Sequence, residues 1–343
     1  MKKKVYIAIC CILGCSFLAC TQSKKSEETI EVKQPEHTQT LGAGYLHTTG
    51  VIFRTNANYK YKFDRSLEPE IEALLDSFDM SLNPFNKQSI IYQVNNNIPV
   101  EVDDWFIEVF QTAQRLSSFS GGMYDITAAP LINLWGFGYE ATEAPSQQAI
   151  DSIRRFVGYQ KVRLEGRKVV KDDPRLQLNA SSIAKGYAVD VVSELLESYG
   201  IGNYMVEIGG EVRAKGLNPK GNPWSIGITK PVDDNTGGYQ ENQEIIALYD
   251  RALATSGNSR NYHVKDGKKF GHTIDPITGY PVQTDILSAT VLYSDCKTAD
   301  AFATAFMVMG LEKAIDLAKR VPGMDYVFIY ADKEGNFQSV FSE

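Results

Sequence analysis

The sequence predicts an α+β fold of mixed sheets with packed helices. Three observations carry this. Strand-like runs rich in β-branched and aromatic residues come in neighbouring pairs, as in Val51-Ile52-Phe53 and Tyr59–Phe63. Helix-periodic segments such as Phe106, Val109, Phe110, Ala113 and Leu116 stand between such pairs, not in strict alternation with single strands. No internal repeat of fixed period is present. With 343 residues, 43% of them hydrophobic, the chain can bury a sizeable core in one large domain or two intimate ones.

The first residues are of another kind. Lys2, Lys3 and Lys4 precede an apolar run from Val5 to Leu18, and Ala19-Cys20 closes it. This is a secretory signal, too short and wrongly flanked for a membrane span. Its end resembles a bacterial lipobox, which places the signal at 1–19 and lipid on Cys20. Cys15, after Ile12-Leu13-Gly14, is a second candidate, and an uncleaved anchor is the alternative. Residues 20–42 are polar and read as a disordered tether, followed by the folded domain at 43–343. Loss of residues 1–19 removes three lysines and no acid, taking the formal charge from −7 to −10. Such acidity argues against non-specific nucleic-acid binding. Of five cysteines four lie in or at the end of the signal and only Cys296 lies in the body, so no internal disulfide is expected and Cys296 reads as a small buried hydrophobe.

Within the domain, the two strand-like runs form a hairpin. Ser66 caps a helix with Pro69 in its first turn and Ile71, Leu74, Leu75 and Phe78 on one face. Asp103 starts a second helix, which stops at Gly121-Gly122, and Ser146 starts a third carrying Ile150, Ile153 and Phe156. Leu176-Gln177-Leu178 reads as a short strand. Ile183, Tyr187, Val191 and Leu195 then recur at i+4 up to Gly200, a suitable residue just past a helix end. Strands are expected at Tyr204–Ile208, Trp224–Ile228, Ile245–Tyr249, Ala289–Tyr293 and Tyr326–Tyr330, and helices at Thr298–Met309 and Leu311–Arg320. The polar stretch 232–242 reads as an exposed loop.

Chemistry concentrates between Leu253 and Thr304. His272 opens a turn-rich loop, His272-Thr273-Ile274-Asp275-Pro276-Ile277-Thr278-Gly279-Tyr280-Pro281, in which prolines and glycine exclude a helix. His272 titrates near neutrality and reads either as a loop histidine held by a carbonyl or as a functional base. Asp300 and Thr304, four apart, share one face of a helix's first turn and suit a hard cation such as magnesium; the alternative for Asp300 is a helix N-terminal aspartate favoured by the dipole. Thr255-Ser256-Gly257 and Gly209-Gly210-Glu211 either bring backbone close to a ligand or make tight turns.

Three blocks stand out together: Gly121-Gly122-Met123-Tyr124-Asp125 with Trp135-Gly136-Phe137-Gly138; Ser182-Ile183-Ala184-Lys185-Gly186-Tyr187-Ala188; and the His272 loop. None has the spacing of a phosphate-binding or dinucleotide fingerprint. In this order they resemble the ApbE family, the FAD:protein FMN transferases, over about residues 45–340. The resemblance implies an ApbE-like fold of two intimately associated subdomains. It also implies an enzyme that uses FAD and magnesium, moves the FMN half of FAD onto a threonine or serine hydroxyl of a second protein, and releases AMP. The acceptor it implies is a flavoprotein subunit of a membrane electron-transfer complex, and the lipid anchor would hold the enzyme at a bacterial membrane, facing the periplasm or cell exterior.

By the same resemblance Asp300, Thr304 and Ser182 match metal-ligand positions. Cofactor contacts are expected from Thr49, Phe85, Met123, Tyr124, Asp125, Asn179, Lys185, Gly209, Gly210, Ser256, Gly257, His272 and Ile274. His272 is the expected catalytic residue. The family often has aspartate where this chain has Asn179, and Thr49-Gly50-Val51 replaces the usual Met-Gly-Thr. Two other functions use the same features: an FAD pyrophosphatase giving FMN and AMP, and a lipoprotein that binds or scavenges FAD without chemistry. AMP release without acceptor marks the first, and bound FAD with neither product marks the second.

Overall fold

A computed structural model describes residues 38–136, 145–231, 242–257, 262–265, 268–271, 273–332 and 336–342. The signal, Cys20, most of the tether, Phe137-Gly138, most of the 232–242 loop and His272 lie outside the described residues.

Elements follow in the order β1 (Gln39–Gly42), β2 (Tyr45–Ile52), β3 (Thr55–Lys62), α1 (Glu68–Leu82), α2 (Ile90–Asn95), α3 (Asp104–Phe119), α4 (Ala129–Leu134) and α5 (Gln147–Arg154). Then come β4 (Val162–Glu165), β5 (Lys168–Lys171), α6 (Ala184–Ser198), β6 (Tyr204–Ile208), β7 (Glu211–Lys215), β8 (Trp224–Thr229) and β9 (Asn242–Leu248). The chain ends with β10 (Arg251–Gly257), β11 (Tyr262–Lys265), β12 (Lys268–Gly271), β13 (Ile286–Tyr293), α7 (Cys296–Met309), α8 (Leu311–Ala318), β14 (Asp325–Ala331) and β15 (Phe337–Phe341). Nine strands make one sheet, ordered β1-β2-β3-β6-β7-β10-β13-β14-β15, with every pairing antiparallel.

Period-two alternation assigns the two faces of this sheet. Tyr204, Val206 and Ile208 of β6, Ala252 and Ala254 of β10, and Ala289 and Val291 of β13 join the large core formed with α1, α3, α6 and α7. Their neighbours Met205, Leu253 and Leu292 point to the other face, where the β8–β9 hairpin covers them with Trp224 and Leu248. Both faces are therefore buried, and all of this lies in one compact unit, Pro35–Glu343, where two subdomains are expected from the resemblance.

Most expected elements are found, and the differences have local causes. Gln39–Gly42, the last residues of the expected tether, pair with β2 as an edge strand. The helix after Ser66 has Leu67 at its cap position, while the Ser66 hydroxyl accepts the Glu68 N–H at 3.2 Å. Asp103 and Ser146 cap α3 and α5 as expected. Leu176–Leu178 is not a strand but makes a single bridge, Gln177 to Ala128. The Asn95 side chain takes the place of a partner strand, receiving the Leu178 N–H at 2.7 Å and donating to its carbonyl at 2.8 Å. Thr255-Ser256-Gly257 is no turn but the end of the central strand β10. Helix α7 begins at Cys296, so Asp300 is its fifth residue and lies in the second turn, not the first.

Candidate active site

Helices α6 and α7 cross on the sheet at their N-terminal ends, and the site lies where they meet. Gly186 permits the approach: a Cβ there would sit 2.4 Å from the Cys296 carbonyl oxygen and 2.8 Å from Asp300 Cβ. The Gly186 N–H donates to Asp300 Oδ2 at 3.0 Å. One turn further along α6, buried Asp190 accepts the N–H groups of Cys296 at 2.9 Å and Lys297 at 2.8 Å, and receives Arg213 at 3.1 Å. Asp295 adds the cap, accepting the Thr298 N–H at 3.0 Å. The free donors of the first turn of α7 are thus satisfied by two carboxylates, which fixes the helix that carries Asp300.

Beside this junction opens a cleft of about 630 Å³. It gathers Met123, Tyr124, Asp125, Asn179, Ser182, Lys185, Gly209, Gly210, Ser256, Gly257, Ile274, Asp300 and Thr304, which are residues from separate stretches of sequence and most of those singled out above. Ser182 donates to the Tyr124 hydroxyl at 2.9 Å, and Ser256 and Thr304 share a hydrogen bond of 3.2 Å between β10 and α7. Asn179 and Asp125 are committed to backbone: Asn179 Oδ1 accepts from Ser181 N–H at 2.8 Å, and Asp125 accepts from Thr127 and Tyr159 at 2.8 and 2.7 Å. Gly209-Gly210 form the turn between β6 and β7, so the tight-turn alternative is the one found, and the turn lies at the edge of the cleft.

Phe85, 63% exposed, lines a second cavity of about 490 Å³ that shares Asn179, Ser181 and Lys185 with the first. Thr49 faces Asn58 across the β2–β3 ladder and lines neither cavity. His272 lies outside the described residues; its neighbours Thr273 and Ile274 line the cleft. Their loop is held as expected of a rigid segment. Trp135 donates its indole N–H to the Gly279 carbonyl at 2.8 Å, and Gly279, at φ 79°, packs so tightly on α5 that a Cβ would meet Ile150 at 2.7 Å.

Glu211, at the start of β7, is the functional candidate that sequence reasoning passed over beside its two glycines. Its side chain is 2% exposed, one oxygen pairs with Lys185 Nζ, and the other, Oε2, has no hydrogen-bond partner. The signal available in the sequence was an acidic residue directly after a Gly-Gly turn, at the start of a strand. Burial, helped by the nearby Asp300 carboxylate and opposed by Lys185, pushes Glu211 up to about 8. Burial likewise raises Asp300, against Lys185 and the Gly186 N–H. For Lys185, burial pulls down, but Asp300 and Glu211 together hold the ammonium above its ordinary value. Two buried carboxylates thus share one ammonium, an arrangement that favours an added cation.

Among the described residues no group of three or more His, Cys, Asp or Glu side chains is placed to hold a metal. Magnesium does not require one, since it binds through one or two carboxylates with hydroxyls, water and phosphate oxygens. The Asp300 carboxylate and the Thr304 and Ser182 hydroxyls, which line one cleft, fit such a donor set.

The ApbE family model matches residues 49–328. The chain belongs to the ApbE family. A relative from Vibrio cholerae described as FAD:protein FMN transferase is 40% identical over 288 residues, 81% of this chain and 85% of the relative. Among solved structures, the flavin transferase ApbE from Vibrio cholerae superposes with a TM-score of 0.78 at 36% identity, covering 90% of this chain and 98% of that one. The apo flavinyl transferase ApbE of Pseudomonas stutzeri gives 0.77 at 32% identity, covering 91% and 96%. These structures share the ApbE fold described above.

Proposed function

We propose that this protein is an FAD:protein FMN transferase that requires magnesium. The observation that carries the reading is the meeting, in one cleft, of the Asp300–Thr304 face of α7 with Lys185, Glu211 and Ser182. In the reaction an oxygen of the acceptor's threonine or serine bonds to the FMN phosphorus. The bond from that phosphorus to the bridging oxygen of the pyrophosphate breaks, and AMP leaves with the bridging oxygen. Asp300, Thr304 and Ser182 would hold the cation, with Asp300 oriented by Gly186. Magnesium supplies neutralisation of the pyrophosphate oxygens and orientation of the reacting phosphorus. Lys185 presents a point charge to a phosphate. Asn179, Tyr124 and the Gly209-Gly210 turn wall the cleft around the dinucleotide. His272 takes the hydroxyl proton.

The acceptor is a flavoprotein subunit of a membrane electron-transfer complex, and the enzyme reaches it while anchored by lipid on Cys20, on the exported side of the membrane. The lipobox-like end of the signal and the polar residues that follow support this location. Incubation with FAD, magnesium and candidate acceptors, read by in-gel flavin fluorescence and AMP release, tests the activity. Covalent fluorescence with equal AMP is expected. AMP without covalent flavin would instead identify a pyrophosphatase, and bound FAD with neither product a binding protein.

A further inference from the structure

The cation site proposed above contains one group to which that reading gives no role. Glu211 Oε2 is buried in the cleft wall and has no partner, although its companion Oε1 is held by Lys185. An unpartnered carboxylate oxygen at 2% exposure is costly unless something in the cleft meets it. Asp300 faces the same ammonium and lines the same cleft, so two acidic groups, an excess of one, answer a single cationic group. The dinucleotide's phosphates would only add to this excess. A hydroxyl donor would satisfy the oxygen but leave the charge unbalanced, whereas a divalent cation does both.

We propose that Glu211 is a further ligand of the metal site, its Oε2 joining Asp300, Thr304 and Ser182, so that this chain holds a divalent cation before FAD arrives. The inference rests on the metal site of the proposed function and adds to it a ligand and an order of binding. Position supports it: β7 pairs with β10, which carries Ser256, the hydrogen-bond partner of Thr304, so the strand bearing Glu211 and the helix bearing Asp300 are braced against one another. Lys185 is then the resident counter-ion of the two carboxylates, left free to face phosphate once the metal neutralises them.

The test uses the FAD-free full chain and manganese as probe, followed by electron paramagnetic resonance of the free ion and by thermal unfolding. Wild-type protein should bind one manganese without FAD and gain thermal stability from it. Glu211→Gln, which keeps shape and removes charge, should bind roughly tenfold or more weakly and lose that gain. Circular dichroism and the metal-free melting temperature establish that the variant is folded. Manganese binding by Glu211→Gln equal to wild type, with Asp300→Ala no longer binding, overturns the role of Glu211 and leaves the metal site standing. Wild-type protein that binds manganese only with FAD present also overturns it. Unchanged binding in both variants removes the metal site itself, an outcome separate from whether flavin transfer occurs in the fluorescence assay.

Discussion

The backbone N–H of Gly186 donates to Asp300 Oδ2 at 3.0 Å, joining the first turn of α6 to the second turn of α7. The close approach needed for this bond leaves no room for a Cβ, which accounts for the glycine beside Lys185. The same absence of a side chain that lets the helices approach also delivers a donor to a fully buried carboxylate, orienting it toward the cleft.

Gly186→Ala is therefore expected to damage both packing and site. Its Cβ would overlap the Cys296 carbonyl at 2.4 Å, a backbone atom that cannot rotate away, so α7 must shift. Overpacking of this kind costs about 1–3 kcal/mol. Urea unfolding followed by circular dichroism should show that loss, together with a weaker response to magnesium. Wild-type stability in the variant would mean that the two helices have slack at this crossing.

Asp300→Ala should abolish flavin transfer while leaving a folded protein. The substitution strands the Gly186 N–H in a buried position, a penalty of about 1–3 kcal/mol that a domain of this size can bear. Transfer assayed across a magnesium titration is the measurement. A folded Asp300→Ala protein with full activity would sink the metal assignment.

How far these residues were legible in the sequence depends on the kind of signal each one gave. Caps and periodic faces were readable because their causes are local: Asp103, Ser146 and the Ile183–Leu195 face all lie where the pattern puts them. Gly200 is found at φ 76° just past α6, with the N–H groups of Gly200 and Ile201 returning to Glu197 and Leu196. Strand β10 was not readable, because Ala252 and Ala254 are poor strand formers that suit the close packing of α7, whose Ala299 and Ala303 share their core. The pair Asp300 and Thr304, proposed above as cation ligands, showed itself by spacing within one helix. Glu211 did not, since its meaning comes from Lys185, 26 residues away in sequence, and from burial that only the folded sheet creates. Asp190 was hidden likewise; its role is to cap a helix whose first residue, Cys296, lies 106 positions later.

Asp190 gives a pH prediction. Burial is the main cause that raises its carboxyl from 3.8 to about 6, against the N–H groups of Cys296 and Lys297 and the charge of Arg213. A carboxyl that holds its proton more tightly folded than unfolded contributes stability that is full below about pH 4 and is lost as pH rises through about 6. A rise of that size corresponds to about 3 kcal/mol. Asp190→Asn has no such titration. The stability difference between wild type and this variant, measured by denaturant unfolding from pH 4 to 7, should therefore shrink as pH rises. A difference that stays constant or grows contradicts the assignment.

The mature chain should begin at lipidated Cys20. Ala19 is small, and polar residues start immediately afterwards. Mass spectrometry of the N-terminal peptide from membranes decides this, and a chain starting at Cys15 or Met1 would refute it.

His272 is expected to remove the acceptor's proton. A threonine hydroxyl is a weak nucleophile at its own pKa and gains from a positioned base, typically by about 10²–10⁴-fold. The loop that follows His272 is pinned by Trp135 and by the packing of Gly279 on α5, and Thr273 and Ile274 line the cleft that contains Asp300. A rival view is that His272 only positions the flavin or the loop, because loose phosphoryl-transfer transition states demand little of a base. The two views separate in single-turnover experiments. If His272 is the base, His272→Ala should keep FAD affinity within a few-fold of wild type and lower the transfer rate by about 10² or more. If its role is positional, affinity and rate should fall together. Transfer at nearly the wild-type rate in the alanine variant would end both views.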